Sequence, residues 1–222
     1  TLFFAYQAWN IAFDASFDKQ IPLAHPYMKV FEKYRGQFGG ANLVSVALLN
    51  RHGDIYQAGF LDKLRRATDD VFFVPGVDRA HVTSLFTPGV RYVDIVEGGF
   101  DTGDVVPRDY QPSAEEFARI RTNVAKAHVI GRLVSNDQHG AMIIAELLEH
   151  DPATGARIEY RRVASDLEAI RSKYEDADTS VHIIGFAKVV GDVAAATRQV
   201  AMFFAIALLA LWLLLWLFCG SL

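Results

Sequence analysis

The chain has 222 residues, with 22 Lys and Arg against 26 Asp and Glu, for a formal net charge of −4. That balance excludes a nucleic-acid binder, which needs a basic face, and a polybasic membrane-surface binder. Every charged residue lies between Asp14 and Arg198, so a polar body stands between two apolar ends.

The front end, TLFFAYQAWNIAF (Thr1 to Phe13), is too short to span a bilayer alone. It has neither an initiator Met nor a basic n-region, so it does not read as a signal peptide. Residues 1–13 are read as the end of a first transmembrane helix, on the expectation that the chain is a fragment. An apolar strand or an interfacial helix is the competing reading. Residues 14–40 read as a connector leaving the membrane. Pro22 and Pro26 break any long helix there, a short helix is predicted from Pro26 to Tyr34, and Gly36, Gly39 and Gly40 end the unit.

The body proper runs over residues 41–190. Asn42 to Asn50 alternates as a strand, with Val44, Val46 and Leu48 on one face, and RHGD (Arg51 to Asp54) is a turn. Phe60, Leu64, Ala67 and Val71 then form one helical stripe, stopped by Pro75 and Gly76. Ala80 to Phe86 reads as a second strand.

An insertion over about residues 90–137 follows. Val90 to Gly103 is strand-like and then glycine-rich. Ser113 is placed to cap a helix, with Glu116 three residues on, and Phe117, Ile120, Val124 and Ala127 form that helix's apolar stripe. The first pattern then returns. Ala141 to Glu149 is a strand, DPATG (Asp151 to Gly155) a turn, and Val163, Leu167, Ile170 and Tyr174 a second helical stripe, with Arg171 and Glu175 spaced to pair on its wet face. Val181 to Phe186 is the last strand. Two β-α-β units in one domain predict an α+β fold, a ferredoxin-like split β-α-β sandwich with a mainly antiparallel sheet and both helices on one face.

Residues 191–199 read as a linker from the last strand to the apolar end, or as part of one continuous helix. Val200 to Cys219 (VAMFFAIALLALWLLLWLFC) carries no charge over twenty residues, which make about 30 Å of helix, the thickness of a bilayer's hydrocarbon core. Twelve of the twenty are Leu, Ile, Phe or Val, and together they favour insertion by several kcal/mol. A soluble core helix normally keeps one polar face, and this run has none. Val200, Trp212 and Trp216 are read as residues of this transmembrane anchor.

Chemistry-bearing patterns are sparse. The seven histidines show no metal-binding spacing. Glu146 and His150 fall four apart on the predicted strand and share a face without forming a chelate. Asp101 and Asp104 in FDTGD read as a solvated loop rather than an acid–base pair. Nucleophile-elbow, P-loop and dinucleotide motifs do not occur, so the sequence gives no case for an enzyme, a cofactor or a metal. The lone Cys219 lies in the apolar run, so no disulfide forms within the chain. Phe72, Phe73, Phe86 and Phe100 are read as candidates to line a path for apolar cargo, against the plainer reading that they pack in the core.

Four stretches carry a family resemblance. DASFDKQIPLAHPY (Asp14 to Tyr27), RTNVAKAHVIGRLVSND (Arg121 to Asp137), ELLEHDPATG (Glu146 to Gly155) and VHIIGFAKVVGDV (Val181 to Val193) resemble, in this order, exporters of the resistance-nodulation-division superfamily, in the branch related to MMPL proteins. The resemblance implies that the body is the first extracytoplasmic porter domain and the apolar end the second membrane helix. Members carry about twelve such helices in two halves, use the proton gradient, and move hydrophobic or amphiphilic substrates outward. It implies as partners the lipid bilayer, the remainder of the transporter and a hydrophobic or amphiphilic small-molecule or lipid substrate, leaves room for a homo-oligomer, and places the chain in the plasma (inner) membrane with its domain outside the cytoplasm. The family's proton-relay acids would lie outside this segment, and the insertion from Val90 to Pro112 matches the family least. A membrane-anchored extracytoplasmic ligand sensor fits the same helix–domain–helix pattern. An assembly or export accessory on the same fold stays open.

Overall fold

The computed structural model describes residues 42–220 and, ahead of them, residues 25–27, 29, 30, 33 and 34. The expected membrane-helix end at residues 1–13 and most of the connector lie outside the described residues. Those described within the predicted short helix are helical from Pro26 onward and exposed.

The chain is α+β. Its elements are β1 (Leu43–Asn50), α1 (Ala58–Phe72), β2 (Val77–Thr83), β3 (Arg91–Val96), β4 (Gly99–Asp104), α2 (Ala114–Lys126), β5 (Gly140–Leu147), α3 (Tyr160–Tyr174), β6 (Thr179–Gly185) and α4 (Phe186–Cys219). One four-stranded sheet has the order β2-β5-β1-β6, with every neighbouring pair antiparallel. β1-α1-β2 and β5-α3-β6 are thus two interleaved β-α-β units, the split arrangement that the repeated pattern predicts.

Alternation decides which sheet face is covered. Val44, Val46 and Leu48 on β1 and Ile143 and Ala145 on β5 are fully buried, whereas Ser45, Ala47, Leu49, Met142 and Ile144 between them are half-buried. The α1 stripe (Phe60, Leu64, Ala67, Val71) and the α3 stripe (Val163, Leu167, Ile170, Tyr174) are buried in the same core. Each large side chain so buried stabilises by about 1.5–3 kcal/mol before entropy is counted. The ends of the two helices are tied together: the Tyr174 hydroxyl and Lys173 Nζ both donate to Asp70 Oδ2, at 2.7 Å each.

Residues 84–139, between β2 and β5, form the insertion. It adds Val90, Val105, Val106, Ile120, Val124, Leu133 and Val134 to the one core cluster, so it is packed rather than appended. Ser113 caps α2 as the sequence predicts, its Oγ accepting the Glu116 N–H at 3.2 Å. Glu116 turns its carboxylate to Arg119 instead, at 2.9 Å.

Four sequence readings are corrected. The second strand occupies Val77–Thr83, not Ala80 to Phe86, because Ser84 closes it: the Ser84 Oγ accepts the Phe86 N–H and its carbonyl accepts the Thr87 hydroxyl, which makes a turn. The glycine-rich segment is no loop; Gly99–Asp104 pairs along its length with Arg91–Val96 as a hairpin, which puts Asp101 and Asp104 on a strand. β5 stops at Leu147, so His150 is not on it and pairs through its backbone with Arg157. The reading of residues 191–199 as a separate linker gives way to the continuous helix. α4 runs without a break through those residues for 34 residues, about 50 Å.

Candidate functional site

β2 is an edge strand, and its pairing with β5 slips. Asp78 faces Glu146 and Thr83 faces Ile144, so the residues between them bulge away from the ladder. Bulges at sheet edges re-aim side chains. Here the bulge is fastened by His81, whose Nδ1 lies 2.8 Å from Asp78 Oδ2 and 4.0 Å from Glu146 Oε2. The hydrogen bond to Asp78 holds the His81 imidazole above its ordinary pKa. The bulge presents Arg79, whose guanidinium lies 5.6 Å from the ring centroids of both Phe72 and Phe73.

The turn after β2 forms a second wall. Ser84 is fully buried and takes a hydrogen bond with Thr68 Oγ1 at 3.0 Å, while Thr87 and Val90 close the turn through backbone bonds to Ser84 and Thr87. The third wall follows α2, where the N–H groups of Arg132, Leu133 and Val134 all reach the Val129 carbonyl, at 2.8–3.2 Å.

These walls enclose a half-open cleft of about 480 Å³, a volume within the range of small-molecule sites. Phe72, Val82, Val90, Val129 and Leu133 give it apolar surface. Arg79, Arg91 and Arg132 are its charged residues, and no acidic side chain lines it. Arg91 is offset by Asp104 at 3.8 Å. Arg79 and Arg132 have no acidic partner among the described residues.

Of the four phenylalanines singled out in the sequence, Phe72 lines this cleft. Phe73 stacks edge-on against it at 5.3 Å but is 66% exposed. Phe86 is half-buried against the core, and Phe100 stands on the hairpin, 73% exposed. The four do not form one path. The arginines were missed because nothing in the local sequence separates a cleft arginine from a solvated one.

The hairpin is held by polar contacts. Lys126 Nζ lies 2.6 Å from Asp94 Oδ2 and 5.7 Å from the Tyr92 ring centroid, and the Lys126 hydrogen bond holds the Asp94 carboxyl below its ordinary range. Asp104 is shared between Arg91 and Arg108, and Asp101 lies 3.5 Å from the Tyr92 hydroxyl, so both serve structure. Among the described residues no three His, Cys, Asp or Glu side chains stand together as a metal site.

At the other side of the sheet, β6 passes into α4 at Gly185 with no intervening loop. Gly185 has φ +150° and ψ 163°, and a Cβ there would lie 2.6 Å from the Leu43 carbonyl oxygen. Only glycine takes that backbone conformation at low cost. α4 then docks on α3, with Ala187 and Val190 buried and the Phe186 and Tyr160 rings edge-on at 5.8 Å. Farther along, Gln199–Phe218 is long and apolar enough to cross a membrane, with a mean hydropathy of 2.7 and no buried residue. Val200, Trp212 and Trp216 all lie in this stretch, each at least half exposed.

No protein-family model matches the chain, and no curated protein matches it.

Proposed function

We propose that this chain is the first extracytoplasmic porter domain and second membrane helix of a proton-driven exporter of the resistance-nodulation-division superfamily, in the MMPL-related branch. The parent crosses the plasma membrane several times and moves hydrophobic or amphiphilic substrates outward. One observation carries the reading beyond the resemblance itself: β6 enters α4 directly, so the sheet and the apolar span share one uninterrupted helix. A joint without a loop transmits tilt of the span to the domain. That is what a pump needs if membrane helices are to open and close a path outside the bilayer.

The test is an accumulation assay on the parent protein with a fluorescent amphiphile, with and without a proton uncoupler. The reading expects lower cell accumulation when the protein is present, and loss of that difference when the gradient is collapsed. Accumulation that ignores both the protein and the uncoupler overturns it. A parent in which a charged signalling helix and a soluble effector follow, in place of further apolar spans, replaces the exporter with a sensor.

A further inference from the structure

We propose that the cleft between the β2 bulge, the turn at residues 84–90 and the segment at residues 127–133 binds an anionic amphiphile. Its phosphate or carboxylate head sits on Arg79 and Arg132, and its apolar chain lies along Phe72, Val82, Val90 and Leu133. This deepens the exporter reading, and rests on it only for the claim that the bound amphiphile is cargo.

The composition of the walls selects the ligand class. An inorganic anion would leave the apolar walls against water, and a neutral hydrocarbon would make no use of the two exposed guanidiniums at the cleft. A molecule with one anionic end and one apolar end satisfies both. Arg79 is set up for such a head. Its guanidinium lies 5.6 Å from the ring centroids of both Phe72 and Phe73, cation–π contacts that draw the charge to the cleft wall. Arg132 is carried on the tight turn whose N–H groups converge on Val129. With Arg91 offset by Asp104 and no carboxylate in the lining, the cleft has a net positive charge on a chain that is net negative. Fields in such concave sites draw counter-charged ligands.

The experiment is isothermal titration calorimetry on the whole chain in phosphatidylcholine nanodiscs, with octyl phosphate as probe and inorganic phosphate and octanol as head-only and tail-only comparators. Octyl phosphate is expected to bind saturably and at least about tenfold more tightly than either comparator. Two variants test the location. In Arg79→Gln with Arg132→Gln, binding weakens about tenfold or more, because charge-assisted bonds are lost. Gly89→Trp plugs the cleft: Gly89 lines it, and a Cβ there meets no atom within 4 Å, so the indole fills open space. That variant is expected to lose binding while the melting temperature of the domain is unchanged. Octyl phosphate binding no tighter than octanol, or retained in both variants, overturns the proposal. Neither arm measures transport, so failure here leaves the exporter reading standing, and failure of the uncoupler assay leaves this one standing.

Discussion

The two halves of α4 share one backbone ladder and differ in everything the side chains do. Over residues 186–193 the helix is amphipathic. Ala187 and Val190 are buried against the domain, Asp192 faces water, Lys188 is half-buried and reaches Glu168 on α3, and Gly191 sits so close to α3 that an added Cβ would lie 2.5 Å from the Ala164 Cβ. Over Gln199–Phe218 the helix is apolar nearly all round, and none of its residues is buried. Helical hydrogen bonding therefore does not decide where a segment goes. The near half is held by complementary shape, and the far half is apolar enough and long enough to cross a membrane.

Breaking the far half should have the largest effect. Arginines replacing Leu209 and Leu213, four apart on one face, cost about 5–7 kcal/mol of insertion free energy. In this chain expressed by itself, the variant is expected to leave the membrane fraction on alkaline extraction while the domain melts as before. Retention in the membrane would mean that something other than lipid holds this half.

Breaking the entry to the near half comes next. Gly185→Ala places a methyl 2.6 Å from the Leu43 carbonyl oxygen and 2.9 Å from Val44 Cα, on a backbone that side chains avoid. The expected loss is about 2–3 kcal/mol, seen as a melting temperature lower by roughly 5–10 °C. Gly191→Leu acts one step later, on docking alone. Overpacking against Ala164 costs about 2 kcal/mol, read as faster hydrogen exchange over residues 186–193 with the exchange of β1 and β5 unchanged. Both variants should insert normally, and that separates the halves.

The contrast between the halves also marks what the sequence could convey. Local periodicity revealed β1, the α1 and α3 stripes, the Ser113 cap and the apolar span, because each rests on contacts that repeat along one element. It did not reveal the joint. A glycine followed by a helical pattern reads the same whether the helix is docked or a flexible tether precedes it, and the close approach of Gly191 to Ala164 exists only once α3 and α4 meet. The hairpin at residues 91–104 was half legible for a similar reason. Glycine and aspartate have poor strand propensity, and β4 is a strand only because β3 pairs with it along its whole length. In the candidate site, Phe72 was visible as an aromatic. Arg79 was not, since it gains its place from a bulge that the alternation of β2 does not encode, and Arg132 comes from another element altogether.

The smallest effect should come from the charges that flank the near half. Lys188 Nζ lies 3.3 Å from Glu168 Oε2 on α3 and 2.6 Å from Asp192 Oδ1 on its own helix, and Arg171 also grips Glu168. The hydrogen bond from Arg171, more than the nearby Lys188 ammonium, holds the Glu168 carboxyl below its ordinary 4.5, against the opposing effect of burial. A folded value below the unfolded one contributes stability that is present above the unfolded value and lost as pH falls through the folded one. The clamp should therefore weaken on the acid side. These side chains are a quarter or more exposed, so the amount is about 0.5 kcal/mol or less. Lowering the pH from about 6 to about 4 should reduce the melting temperature of the domain by less in Lys188→Met than in the native chain, with part of the drop remaining because Arg171 is still in place. Equal drops in the two proteins would assign the acid effect to Arg171 within α3 alone. Glu168 and Arg171 would then stabilise α3, and the grip of α3 on the near half would rest on Ala187, Val190, the Gly191 contact and the Phe186–Tyr160 ring pair.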